Sequence, residues 1–524
     1  MLQASRTRRA VLKGGVAVAS ALGLPSVVRA AGDRTLVVAI PSNPTTFDPI
    51  NQGNHDAMVV NQLIFENLLE IDGAGRHQPM LAKAMPAISG DRTEYVFELR
   101  EDVTFQNGQP FTAADVKYSY DYILDPANKA LRRPVWTGIE SVEVVERHKV
   151  RFKLKAPFRP LLDYMTKYMG IFPAGSREKF GNEVFQQRPE GLGTGPGIFV
   201  SARSNDVVEF RRNPTYWRKD IPAWDRLRVR IIAEDSARIA ALMSGSVHII
   251  GSPPVRDYLR LRQGEAQGTT GGSRPALGSY MLMLHNTRKP PFDDPEVRRA
   301  VSLATDRKTI AEKIFHGLVE PTAVPAPASA WWHNAKAAAG LAFNVEKARA
   351  HLARSRYPSG AEFELLYSSQ PYLLDMKDAA LFIQASLAPL GIRVKLQPVE
   401  TGQLIAQVIA GNQTSALLAV IGPSDPTFVM QGIYTPNQIM TRGSGYNNDR
   451  LNTLLTESFA VDDEPSLGPI LAEMQAILAA DSPSTWIGTV HSFNLWRANI
   501  RGFEPNTGIT LRLADVSLAT SNRG

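Results

Sequence analysis

The chain contains no cysteine. That excludes disulfides, thiolate metal sites and catalytic thiols together. It also excludes a lipid-anchored export signal, which needs a cysteine just after its cleavage point. GxxxxGK[ST], GxSxG and HExxH are missing too, so phosphate-loop, esterase-elbow and zinc-protease chemistry have no motif to rest on. The nine histidines are scattered, and none stands four residues from another as a metal pair would. The glycines of "GLGTGPG" miss the GxGxxG frame, and Pro196 disturbs the helix entry a phosphate loop needs. No long run of Lys and Arg occurs, which argues against nucleic-acid binding. No catalytic residue, metal or cofactor is expected.

What is there begins with "SRTRRAVLKGG" (Ser5 to Gly15), followed by uncharged chain to Val28. A basic start, a short apolar core and the small-residue site Val28-Arg29-Ala30 have the order of a secretory signal, cleaved after Ala30. Arg8, Arg9 and Lys13 resemble a twin-arginine signal, the route for proteins that fold before export; an ordinary signal of the unfolded route is the alternative. Residues 1–30 hold five bases and no acid, so their removal lowers the formal charge from +7 to +2. No second long apolar run follows. The protein is therefore expected free in the periplasm, monomeric and not itself membrane-spanning. Its length calls for more than one domain.

Strand and helix patterns alternate from end to end, an α/β composition. "TLVVAI" (Thr35 to Ile40) is a continuous apolar run suited to a buried strand. "YVFELR", "VRFKLK", "LRVRII", "FELLYS" and "IRVKLQ" place apolar residues at every second position, as half-buried strands do. Thr112 and Asp115 form a capping box for a helix with Val116, Tyr120 and Ile123 on one face. Asp294 caps a helix that Pro295 opens. A helix from Asp306 should stop at Gly317, and another should bury Ile239, Leu242 and Met243 and stop at Gly245. "PEGLGTGPG" (Pro189 to Gly197) and "GTTGGSRPALG" (Gly268 to Gly278) read as boundaries between lobes.

Four ordered stretches resemble one family. They are "LAKAMPAISGDRTEYVFELREDVTFQNGQPFTAADVKYSY" (Leu81 to Tyr120), "GTGPGIFVSARSNDVVEFRRNPTYW" (Gly193 to Trp217), "LHNTRKPPFDDPEVRRAVSLATDRKTIAEKIFHGL" (Leu284 to Leu318) and "GYNNDRLNTLL" (Gly445 to Leu455). They are similar to the dipeptide/oligopeptide-binding family (family 5, cluster C) of extracytoplasmic solute-binding proteins that serve ABC transporters. Two departures are Gly197, where an aromatic is usual, and Asn452, where Asp is common. The resemblance implies a two-lobed periplasmic-binding-protein fold (type II), hinged between lobes, with an extra subdomain on lobe one. Lobe one would comprise 31–68, 196–276 and 486–524, the subdomain 69–195, and lobe two 277–485. It implies capture of a peptide or peptide-like small solute and delivery to ABC permease subunits in the inner membrane. A sensory receptor partner is the second reading and a cofactor-loaded periplasmic enzyme the third.

Family members that bind peptides commonly hold the ligand's ammonium on an Asp in lobe two, three residues before an Asp-Pro or similar pair. Taking Asp425-Pro426 as that pair puts Gly422 at the ammonium position, and Ala419 where an aromatic is usual. A buried ammonium without a carboxylate is strongly disfavoured. The pocket then suits a non-peptide ligand such as an opine, an oligosaccharide or a metal chelate, unless Asp425 takes over the role. Asn43, Thr45 and Asn51, in the loop after the first strand, can donate hydrogen bonds, and His55 can line the same pocket. Trp331 and Trp332 can stack on a ligand. The resemblance adds Tyr372, Tyr434, His491 and Phe493 as cleft positions.

Overall fold

The structure is a computed structural model that describes residues 34–52, 55–73, 75–251, 253–263, 268–369, 374, 376–420, 425–435, 439–461, 463–505 and 511–519. All belong to one compact unit, Arg34–Gly524. The export signal expected within residues 1–30 lies outside the described residues, as do Tyr372 and Gly422.

The expected strands form where the alternation placed them. Thr35–Ile40 runs parallel to Arg226–Ile231 on one side and to Ile249–Gly251 on the other, so it is internal to the sheet, with Leu36, Val38, Ala39 and Ile40 buried and Thr35 and Val37 half-buried. Eleven strands join in one sheet among the described residues. Its order is Arg393–Val399, Glu362–Ser368, Ser415–Val420, Thr269–His285, Ser484–Arg497, Ile249–Gly251, Thr35–Ile40, Arg226–Ile231, Val207–Arg212, Gly197–Arg203; Val319–Pro321 adds to Ser484–Arg497 off this path. A separate four-stranded sheet, Ala87–Ile88, Glu94–Glu98, Lys149–Leu154 and Ile139–Glu146, carries the helix Ala113–Leu124 with its capping box in place.

Two long strands cross the middle of the large sheet. Thr269–His285 and Ser484–Arg497 pair antiparallel over most of their length, and the register slips between Pro275, opposite His491, and Tyr280, opposite Thr489. The Gly-rich stretch from Gly268 to Gly278, expected to mark a boundary between lobes, is mostly strand. Its glycines serve close approach: a Cβ on Gly271 would lie 2.9 Å from side-chain atoms of Arg262 and Leu495.

Strand alternation sorts side chains into three cores. On Thr269–His285, Met281 and Met283 enter one core, while Tyr280, Leu282 and Leu284 enter another. Leu36, Val38 and Ile40 belong to a third, shared with the helix His55–Ile64 and the four-stranded sheet. The core of Met281 continues along the sheet to Ile239, Leu242 and Tyr258. The other two cores are separate clusters.

Two expectations need adjustment. The helix begun by the Asp306 cap is one α turn, Arg307–Thr309, then a π turn, Ile310–Ile314. Its left-handed stop starts one residue early, at His316 (φ 49°), before Gly317 (φ 84°). Arg307 anchors the short turn. Its buried guanidinium donates to the carbonyls of Trp486 (2.6 Å), Ser302 (2.9 Å) and Leu341 (3.0 Å), which ties this turn to the crossing strand. Met243 is only half-buried on its helix, Asp235–Ser244, while Ile239 and Leu242 are buried.

Candidate functional site

The segment 158–164, beyond the four-stranded sheet, meets the segments that follow Ser415–Val420 and Asp449–Phe459. Arg159 Nε donates to Asp425 Oδ2 at 2.7 Å, and Arg159 Nη1 donates to the Val461 carbonyl at 2.9 Å. Tyr164 Oη donates to Gln431 Oε1 at 3.0 Å. Edge-on rings flank these bonds: Tyr164 with Phe428 (5.3 Å) and Phe158 with Phe459 (5.4 Å). These contacts bridge the core of Leu36 and the core of Tyr280, which is where a groove between two halves of the molecule would close.

Asp425 is 5 % exposed at its side chain, and both its oxygens are engaged. Oδ1 accepts from Thr427 N at 2.7 Å and from the Thr427 hydroxyl, which fixes the turn entering the helix Phe428–Tyr434. Oδ2 faces the guanidinium. Behind this pair, His77 Nε2 lies 3.0 Å from Asp163 Oδ1. Burial pulls the His77 pKa down, but the Asp163 carboxylate overrides it and the imidazole ends above its ordinary value. Burial raises Asp163.

The remaining residues expected at a pocket are distributed as follows. Asn43 donates through Nδ2 to Asn205 Oδ1 and accepts from Asn205 N at 2.8 Å, fastening its loop to a hairpin turn. Thr45 is exposed beside it. Asn51 donates to Asp48 Oδ2 (3.0 Å) and accepts from Leu131 N (2.9 Å), so its amide braces the scaffold. His55 opens its helix with Nδ1 3.4 Å from Asp56. Trp331, 43 % exposed, meets the half-buried Trp332 edge to face at 5.5 Å. Tyr434 is fully buried between Tyr446 and Trp486. Phe493 lies in the core of Met281, edge-on to Tyr258 at 5.2 Å. His491 is half-buried at the register slip, its backbone N donating to Leu318 O.

Asn43, Asn51 and His55 thus share one loop region and Asp425 stands across the bridging contacts, while Tyr434 and Phe493 belong to two different cores. Sequence reasoning missed Arg159, Tyr164 and Gln431. No local pattern marks them, because Arg159 and Asp425 lie 266 positions apart.

Two halves joined by paired crossing strands, with a polar seam where they meet, are the geometry of a protein that closes around a solute. The family model described as bacterial extracellular solute-binding proteins, family 5 Middle, matches residues 76–441. The chain belongs to that family and is a solute-binding protein of the kind that serves an ABC importer. It is 26 % identical over 529 residues to the glutathione-binding protein GsiB of Escherichia coli K12, covering 97 % of this chain and 99 % of that protein. The GsiB of Salmonella typhi is 27 % identical, covering 95 % and 98 %. Among solved structures, the periplasmic binding protein AgaA of A. tumefaciens R10, in complex with agropinic acid, superposes with a TM-score of 0.82. It is 26 % identical and is covered over 98 % of its length by 92 % of this chain. DppA of Helicobacter pylori, with the peptide STSA, gives a TM-score of 0.82 at 22 % identity, covering 93 % and 99 %. The fold is the two-lobed type II periplasmic-binding-protein fold. No helix among the described residues is long and apolar enough to cross a membrane.

Proposed function

We propose that this chain captures a small, amino-acid-derived solute between its lobes in the periplasm and delivers it to the permease subunits of an ABC importer. Lobe one comprises 31–68, 196–276 and 486–524, the subdomain on it 69–195, and lobe two 277–485. The chain works as a binding protein without covalent chemistry, as a monomer, after an N-terminal signal of twin-arginine type has been cleaved after Ala30. The relatives' ligands support the solute class. GsiB is a glutathione-binding protein, and AgaA holds agropinic acid.

One observation narrows the ligand. The Asp425 carboxylate is buried and already satisfied by Arg159 and Thr427, so it is not offered to a peptide's terminal ammonium. A ligand whose α-amino group is blocked, substituted or left in solvent therefore suits this pocket better than a free peptide N-terminus. The opine reading follows from the same observation. The test is a thermal-shift screen of mature Ala31–Gly524, stripped of ligand by partial unfolding, against free peptides, amine-blocked peptides, glutathione, opines and oligosaccharides. A ligand at 100 times its Kd stabilises by about 2.7 kcal/mol, which is readily visible. A shift given by free peptides alone would overturn the reading of Asp425.

A further inference from the structure

Away from the bridging contacts, a cavity of about 100 Å³ lies where the helix His55–Ile64, the segment 166–167 and the segment 511–515 come together. Its floor holds Lys167, only 9 % exposed, whose ammonium has no hydrogen-bond or ion-pair partner among the described residues. Beside it, Asn67 donates through Nδ2 to the Thr166 carbonyl at 3.1 Å, and its Oδ1 is buried without a hydrogen-bond partner. The Lys167 ammonium lies 5.8 Å from the centroid of the Tyr168 ring, and one cationic donor and one unmet acceptor thus line the same cavity.

The rim supplies the rest of the argument. Arg218 pairs with Asp515 at 2.6 Å, and Arg512 with Glu70 at 3.0 Å; these four side chains are about one-third exposed and line the way in. Two cations and two acids cancel, so Lys167 leaves the cavity with one positive charge in excess. Arg132 adds to that positive field and the Asp163 carboxylate offsets part of it. Between floor and rim the wall is apolar, formed by Val59, Leu63, Met80 and Leu511. Water alone solvates an ammonium poorly in such a space. A cavity of about 150 Å³ holds benzene, so this one has room for roughly four to six heavy atoms.

We propose that this cavity is a second binding site, for a short-chain hydroxycarboxylate. Its carboxylate accepts from the Lys167 ammonium, its hydroxyl donates to Asn67 Oδ1, and its short apolar end lies against Leu63, Met80 and Leu511. The proposal does not depend on the identity of the solute held between the lobes. Burial lowers the Lys167 pKa to about 8, which leaves the amine mostly charged at neutral pH and in need of an anion.

Sodium lactate, sodium propionate and sodium chloride are compared by thermal shift on the mature protein and on Lys167→Met, at up to ~100 mM, well above a millimolar Kd. Lactate should raise the wild-type melting temperature most, propionate less, and chloride least. Lys167→Met should respond to none of the three beyond chloride, while keeping its response to the interlobe ligand. Should that variant fail to fold, NMR of the wild type with 13C-labelled lysine reads the same contact. Lactate should then move the titration midpoint of the low-pKa lysine upward. Equal lactate shifts in the two proteins, no lactate shift above chloride, or a lysine titration indifferent to lactate would overturn the proposal.

Discussion

Arg159→Met separates closure from folding. In the structure Asp425 is 5 % exposed and Arg159 19 % exposed at 2.7 Å; on the lobe division proposed above, the pair forms on closure and both side chains return to water on opening. Removing one partner of a fully buried ion pair costs about 3–5 kcal/mol, because the other charge stays buried alone. Here the guanidinium is partly exposed and the Thr427 N–H and hydroxyl still serve the carboxylate, so about 2–3 kcal/mol is expected. The whole penalty falls on the closed form. Ligand affinity measured by isothermal titration should therefore weaken by roughly 30- to 150-fold, while the melting temperature of the ligand-free protein stays where it was. Asp425→Asn in the Arg159→Met background should recover most of the loss, since no buried charge is left. A Kd unchanged in Arg159→Met, or a fall in ligand-free stability that matches the loss of affinity, would refute the reasoning.

Further outcomes follow from the scaffold. A Cβ at Gly193 would lie 1.8 Å from the Ile64 carbonyl oxygen, so Gly193→Ala should lose about 3 kcal/mol or more in urea unfolding. Glu66 is fully buried, bonded by Tyr216 and Trp217 with Glu70 nearby, and burial raises its pKa to about 7. A raised folded-state pKa gives stability that is complete below pH ~4.5 and lost as pH rises through 7, about 3 kcal/mol in all. Glu66→Gln should flatten that slope in chemical denaturation between pH 5 and pH 8. His285 lies between Ser415 and Thr485 and stacks on Phe292 at 4.0 Å; burial lowers its pKa to about 3. Its contribution is complete above pH ~6.5 and declines as pH falls toward 3, so His285→Gln should shift the acid-unfolding midpoint to lower pH.

Local chemistry was legible in the sequence where one turn or one strand decides the outcome. The Thr112–Asp115 box, the Asp294-Pro295 start and the alternation of Leu227, Val229 and Ile231 each produce the element expected. Glycine is ambiguous in sequence because it can serve contact rather than bending. Gly271 and Gly272 sit in a strand because neighbouring side chains press on it, and Gly193 and Gly195 let their loop lie on the end of the helix His55–Ile64, where Gly195 N donates to Ile64 O at 2.9 Å. Aromatic residues are ambiguous in the same way. Tyr434 and Phe493 fill cores, and nothing in their neighbours along the chain distinguishes a core ring from a cleft ring. The seam was least legible, since its bonds join residues hundreds of positions apart: Arg159 to Asp425, and Tyr164 to Gln431.

The most direct measurement is isothermal titration of mature Ala31–Gly524 with matched pairs of ligands, each amino-acid-derived solute offered with its amine free and acetylated. The account predicts binding that survives acetylation and weakens in Arg159→Met. Binding that vanishes on acetylation would show that a carboxylate in the pocket holds the ammonium after all, and would contradict the assignment of Asp425 to the seam between the lobes.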